Sequence, residues 1–254
     1  MIQLENVRVT FNKGTLLERQ ALQDVTLSIG EEEFVTVIGS NGAGKSTLLN
    51  VLTGNIITNE GRVMIADQDV TKWPVEKRAR LVARVFQDPL EGTCGALTVE
   101  ENLALAAMRG KNRGLSMALN KKNRELFRDT LARLGLGLEN RLRQPIGLLS
   151  GGQRQSISLM MAVLSPMEIL VLDEHTAALD PRTAAAIIQL TKSLVEEKKL
   201  TVLMVTHSMH QALEVGTRTL MMHTGRVLHD LSEEARRNLS SADLLRLFEE
   251  LDPS

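Results

Sequence analysis

Phe34-Val35-Thr36-Val37-Ile38 is a run with no charged residue and no polar alternation, and it ends in Gly39-Ser40-Asn41-Gly42-Ala43-Gly44-Lys45-Ser46-Thr47. No other stretch restricts the fold as tightly. A strand without alternation is buried on both faces, which is the situation of a parallel sheet covered by helices. The glycine-rich segment after it fits GxxxxGK[ST], and Lys45 to Leu52 reads as a helix closed by Gly54. Strand, loop and helix in that order form a phosphate-binding loop. Its glycines let backbone N–H groups curl around an anion, the helix start adds partial positive charge, and Lys45 brings a compact cation to the outer phosphates. Ser46 is placed to ligate Mg²⁺. The expected ligands are therefore a nucleoside triphosphate and Mg²⁺, with Gly39, Ser40, Asn41, Gly42, Ala43, Gly44, Lys45, Ser46 and Thr47 forming the cradle.

The remaining chain divides by periodicity. Ile2, Leu4, Val7 and Val9, then Ala21, Leu22, Val25, Leu27 and Ile29, alternate like half-buried strands and predict an N-terminal antiparallel layer, to which Arg62 to Ile65 returns. From about Leu97 to Leu164 the spacing turns helical, with Val99, Leu103 and Ala106-Ala107 in one segment and Leu126, Leu131 and Leu134 in another. A basic stretch with Lys111, Arg113, Lys121, Lys122 and Arg124 interrupts this insert; it reads as a solvated face, with a membrane-facing surface as the second reading. Ile169 to Leu172 and Thr201 to Val205 are two more buried strands around a helix from about Arg182 to Lys198, which implies a right-handed parallel crossover. Leu220 to His223 and Arg226 to His229 predict a hairpin through Thr224-Gly225. A last helix follows Ser240, with Leu244, Leu247, Phe248 and Leu251 as a packing stripe.

Asp173 and Glu174 follow an apolar strand, so both carboxylates emerge at the sheet edge where α/β proteins bind ligands. Asp173 suits the Mg²⁺ shell, and Glu174 can orient or deprotonate water at a terminal phosphate, which is what phosphoryl transfer to water needs. Leu149-Ser150-Gly151-Gly152-Gln153 is a second glycine-containing helix start, about a hundred residues after the first.

Together these motifs resemble the ATP-binding subunit of ABC transporters along nearly the whole chain. Leu149 to Gln153, followed by Arg154 and Gln155, resembles the family's signature motif; Gly39 to Thr47 resembles Walker A; Ile169 to Glu174 resembles Walker B; Ala178-Leu179-Asp180 resembles the D-loop. Gln87 in Val85-Phe86-Gln87 matches the Q-loop glutamine, and His207 in Val205-Thr206-His207 the switch histidine. Phe11 aligns with the aromatic residue that stacks on adenine, where the family usually has Tyr; a ring face suffices for stacking but discriminates little between bases. His175 stands where the family commonly has proline and adds a titratable ring near the site.

The resemblance implies one ABC ATPase domain over residues 1–254: an α/β P-loop NTPase core with a mostly parallel sheet, an N-terminal antiparallel β subdomain, and a helical subdomain at about 88–165 inserted in the RecA-like core. Glu174, His207 and Gln87 are the implied catalytic set, with Ser46, Gln87 and Asp173 around the metal. The nucleotide contacts are Phe11, the Gly39 to Thr47 loop, Ser150, Gly151, Gly152, Gln153 and Asp180. A signature helix so far along the chain reaches the nucleotide of another copy, so the implied partners are a homodimer or paired ATPase subunit, an integral membrane permease and a solute-binding protein. Asn41 to Gly44 and Gly92 to Asn102 look like importers of amino-acid-like solutes; export is the alternative direction.

Composition narrows the rest. With 30 basic and 31 acidic side chains the net charge is −1, and five Phe, one Trp and no Tyr leave little for base stacking, so nucleic acid is not an expected partner. Lone Cys94 forms no intrachain disulfide, no N-terminal stretch has signal-peptide order, and the apolar run Ile157 to Leu164 is far short of the roughly 20 residues that cross a bilayer. The expected place is the cytoplasmic face of the cell membrane, as a peripheral subunit. His207 and His210 have no partners at zinc spacing. Two other classes compete: a soluble ABC-type ATPase acting on DNA, ribosomes or cluster assembly, and a P-loop kinase for a small molecule. The signature, Gln87 and His207 argue against the kinase, and the lack of long coiled coils or basic surfaces against the soluble ATPase.

Overall fold

The computed structural model describes residues 1–111 and 118–249, so Arg113 of the basic stretch and Leu251 of the last stripe lie outside the described residues. Two sheets are built from the strands. The first is antiparallel, with β1 (Ile2–Phe11), β2 (Arg19–Ile29), β4 (Glu60–Ile65) and β5 (Gln68–Asp69) in the order β2-β1-β4-β5. The second runs β10-β9-β3-β8-β7-β6 from β3 (Phe34–Gly39), β6 (Val82–Val85), β7 (Ile169–Asp173), β8 (Thr201–Val205), β9 (Arg218–His223) and β10 (Arg226–Leu231). All its pairings are parallel except the β9–β10 hairpin. Every residue of β3 is buried, as expected of a central parallel strand.

The alternation in the first sheet carries two odd steps, Leu4 to Val7 and Leu22 to Val25. Each is a bulge, with Asn6 at φ 48° and Asp24 at φ 52° absorbing the extra residue. The side chains before and after the bulge thus keep to the core face, and Ile2, Leu4, Val7 and Val9 are all buried.

Helix α1 (Lys45–Thr53) starts at the end of β3. Its last carbonyls, Val51 and Leu52, accept hydrogen bonds from the guanidinium of the buried Arg78 in the short helix α2 (Val75–Arg78), which places a cation at the negative end of the helix dipole. One core packs α1 and the antiparallel sheet against one face of the parallel sheet, through Leu48, Leu49 and Leu52 with Val35, Val37, Val171 and Val205. The other face is covered by α5 (Gly151–Val163) and α6 (Pro181–Lys198), through Leu159 and Ile188 with Leu170, Leu172 and Val202.

Between β6 and β7 the chain is helical, with α3 (Val99–Ala107) and α4 (Lys121–Ala132) leading to α5. These helices have their own core around Val99, Leu103, Phe127, Leu131 and Ile157. The expected stripe on α4 is corrected by one position: Phe127 is buried and Leu126 exposed, because Phe127 and Leu131 stand four residues apart on the face that meets α3. After β8 come α7 (Met209–Val215), α8 (Glu233–Arg236) and α9 (Ser241–Glu249), whose Leu244, Leu247 and Phe248 pack with Ile38, Ala212 and Met221. No described helix is long and apolar enough to cross a membrane.

Candidate nucleotide site

Helix α1 differs from the other long helices in how it begins. Thr98, Asn120, Ser150 and Asp180 each cap α3, α4, α5 and α6 with a side-chain oxygen, whereas Gly44 at the start of α1 offers none. The first-turn N–H groups of α1 are therefore left to an external anion. Gly44 has φ 101°, and a Cβ there would lie 2.6 Å from the Ala21 carbonyl oxygen, so the conformation and the space both require glycine. Lys45 is buried, and its Nζ donates to the carbonyls of Gly39 and Ser40 at 2.7 and 3.0 Å. Burial lowers the Lys45 pKa from its usual value, and the charges of Glu174 and then Asp173 oppose that shift.

Phe11, Asn41, Gly42, Gly44, Lys45, Ser46, Thr47, Glu174 and His207 line one pocket of about 170 Å³. The sheet explains the meeting: β3, β7 and β8 are parallel neighbours, so the residues that follow them emerge at one edge. Glu174 leaves β7 with φ 45°, a left-handed turn that brings its carboxylate within 2.5 Å of His207 Nε2. Glu174 is 13% exposed and His207 47%, so the carboxylate is held and the ring is accessible. Phe11, at the end of β1, is 39% exposed on the rim.

Asp173 sits one residue earlier and is paired with Arg84, Nη2 to Oδ2, at 2.5 Å. Arg84 also donates to Asn50 Oδ1 at 2.7 Å and stacks over the Phe86 ring at 4.6 Å. Gln87 is exposed just beyond β6. Ser150, Gly151, Gly152 and Gln153 are not part of the pocket. Ser150 and Gln153 form a reciprocal capping box at the start of α5, and Gly152 is pressed against α6, where a Cβ would meet Thr183 Cγ2 at 2.3 Å. Asp180 is exposed and caps α6 by accepting from the Thr183 N–H; the Thr183 side chain first, and then that N–H, hold its carboxyl below the usual range.

Three contributors went unread in the sequence. Arg19 is the β2 register partner of Phe11, lines the same pocket and donates to the Gly42 carbonyl at 3.2 Å. Arg84 joins Asp173 to Phe86. Gln155, fully buried, donates from Nε2 to the Phe86 carbonyl at 3.1 Å and so ties the signature helix to the segment carrying Gln87. The pairing of Phe11 with the start of the next strand could have pointed to Arg19; nothing in local spacing marks the other two. His175, expected beside the site, turns away from it: its ring is buried against α6, with Nε2 3.2 Å from the Thr191 hydroxyl.

A larger cleft of about 1160 Å³ opens beside this apparatus, with Arg84, Phe86, Leu97, Leu105 and Met161 among its walls. It lies between the strand edge at β6 and helices α3 and α5.

A family model described as "ABC transporter" matches residues 22–177. The chain is 41% identical over 249 residues to the tyrosine transport ATP-binding protein of Clostridioides difficile, covering 98% of this chain and 99% of that protein. It is 36% identical over 202 residues to the thiamine import ATP-binding protein of Salmonella choleraesuis, covering 80% of this chain and 81% of that one. Among solved structures it is similar to an ATP-binding cassette captured as a dimer in a post-hydrolysis state with ADP and Pi, with a TM-score of 0.80 and 32% identity over 92% of this chain and 99% of that one. An ATP-binding cassette of an ABC transporter in its ADP conformation gives a TM-score of 0.81 at 25% identity, with 98% of each chain covered.

Proposed function

The chain belongs to the ABC transporter family of ATP-binding proteins, and from that membership we propose that it is the ATPase subunit that drives a small solute through a separate membrane permease. The observation that carries this reading is the convergence of Lys45, Glu174 and His207 in one pocket, with Ser150 to Gln153 presented elsewhere on the surface. A machine that needs both elements at one phosphate needs two copies.

The roles follow from the groups. The free N–H donors of α1 and the Lys45 ammonium hold the β- and γ-phosphates, Phe11 stacks on the base, and Arg19 closes the rim next to Gly42. Glu174, fixed by its left-handed turn, orients and deprotonates the attacking water, and His207 donates to the γ-phosphate from the same edge. Ser46, Gln87 and Asp173 offer a hydroxyl, an amide oxygen and a carboxylate, hard oxygen donors that fit Mg²⁺, and a bound Mg²⁺ would neutralise charge developing on the phosphates. Asp173 must share its carboxylate with Arg84 to do so.

Ser150 to Gln153 of one copy cover the nucleotide of the other in a head-to-tail pair. The dimeric state of a similar cassette, seen in two structures of it, supports this. Closure around two ATP molecules and release after hydrolysis then supply the motion. The cleft beside Gln87 receives the permease, since Gln155 and Phe86 link its wall to the signature helix. In this reading the subunit sits peripherally at the cytoplasmic face of the membrane. The tyrosine transport and thiamine import relatives support small-solute transport, the second of them being an importer. The tyrosine relative supports an amino-acid-like cargo, and delivery by a solute-binding protein is part of the proposal.

The test is Glu174→Gln. The variant should bind ATP, lose at least a hundredfold in turnover and accumulate an ATP-dependent dimer in sedimentation; unchanged turnover would remove Glu174 from the mechanism. Co-purification from membranes should bring a permease with the chain, and recovery of soluble partners alone would favour a non-transport ATPase.

A further inference from the structure

The three most exposed large apolar side chains among the described residues are Leu16 at 106%, Leu17 at 76% and Leu148 at 72%. Scattered exposed leucines need no explanation, but these three are not scattered with respect to the site. Leu16 and Leu17 form the tip of the connection between β1 and β2, whose two bases are the register partners Phe11 and Arg19 on the rim of the nucleotide pocket. The tip is locally ordered by hydrogen bonds that do not involve the leucine side chains: Gly14 N–H to Glu18 Oε2 at 2.7 Å, and Asn12 Nδ2 to the Leu17 carbonyl at 3.3 Å. It is a built turn that holds two apolar side chains in water. Leu148 stands two residues before Ser150; its neighbour Leu149 is buried in the helical core while Leu148 points outward.

These two apolar points therefore sit at the two elements that a head-to-tail pair brings together. In a two-fold assembly the same patch pair occurs twice, since residue i meets j and j meets i. We propose that Leu16 and Leu17 of one copy pack against Leu148 of the partner subunit, closing the adenine side of each nucleotide site with an apolar seam. The occupant is a second copy of this chain, because the seam continues the contact between the nucleotide pocket and Ser150 to Gln153; this inference rests on the dimer reading given above. The seam excludes water from the base-stacking side, where Phe11 alone gives a ring face and little discrimination. It adds apolar burial only in the closed state, so it biases closure and not nucleotide capture.

The experiment uses the full chain carrying Glu174→Gln with Mg-ATP, and reads the dimer dissociation constant by sedimentation velocity. The combined change Leu16→Ser and Leu17→Ser, and separately Leu148→Ser, should each weaken dimerisation at least tenfold. ADP affinity and the melting temperature of the free chain should stay unchanged, since the leucines are exposed there. Leu17→Glu and Leu148→Lys should each weaken the dimer and together restore most of it. Dimerisation as tight as in Glu174→Gln itself, despite the leucine changes, would overturn the seam and leave the dimer reading standing. A Glu174→Gln chain that stays monomeric with ATP would overturn both.

Discussion

His175 follows Glu174 in the chain yet belongs to a different neighbourhood. Thr191 donates its hydroxyl to the Ile187 carbonyl, so it accepts from His175 Nε2–H, and the buried Nδ1 finds no hydrogen-bond partner. Burial pushes the ring pKa down to about 4 from 6.5. Between those values the unfolded chain binds the proton that the folded chain refuses, so stability rises with pH through this window and is full above it. The shift corresponds to roughly 3 kcal/mol lost on acidification. Urea unfolding at pH 4.5 and 7 should show this loss in the natural chain and a distinctly smaller one in His175→Gln; equal losses would place the acid sensitivity elsewhere. Lys45 makes the matching point for function: its side chain already bridges two loop carbonyls, so Lys45→Ala removes both a phosphate cation and a loop tie, and ATP affinity should fall at least tenfold by calorimetry.

Helices α5 and α6 show what an element-level reading adds to a motif. The glycine pair of the signature reads in sequence as a grip for phosphate, but Gly152 is also where α5 touches Thr183 of α6. Gly152→Ala should therefore destabilise the free chain by about 1–3 kcal/mol, seen as a lower melting temperature before any nucleotide is added. A normal melting temperature would mean that the two helices yield easily. Most strands, the phosphate loop and its helix were legible because each rests on local periodicity or on a fixed spacing, whereas the strand order, which depends on distant pairings, was not. The bulges at Asn6 and Asp24 were written as odd steps in an even pattern. Arg84 and Gln155 were not legible, since their partners lie 89 and 69 residues away and depend on which faces the sheet and helices present. On α4 the stripe held at Leu131 and missed only at Leu126, because Phe127, four residues before Leu131, occupies the core face instead.

On the head-to-tail reading proposed above, one molecule carries half of each of two sites. Hydrolysis per chain should then rise with protein concentration until the dimer saturates, and a specific rate that stays flat from well below to well above the dimer dissociation constant would mean that one copy suffices. The near-neutral balance of charge gives two copies no strong field to steer or repel each other, so added salt should change this dependence little.

The phosphate loop is backed by two chain segments far apart in sequence, β2 and the turn between β9 and β10. Gly225 N–H donates to the Ala43 carbonyl at 2.9 Å, Gln23 N–H donates to the Gly225 carbonyl at 2.8 Å, and Gly44 lies against Ala21. Synthesis delivers these pieces in order, with the Thr224-Gly225 turn coming long after Lys45. A nascent chain that has not yet left the ribosome past β10 has the residues of the cradle and of β2 without the turn that joins them. The backing of the phosphate loop is thus complete only once the Thr224-Gly225 turn has been made.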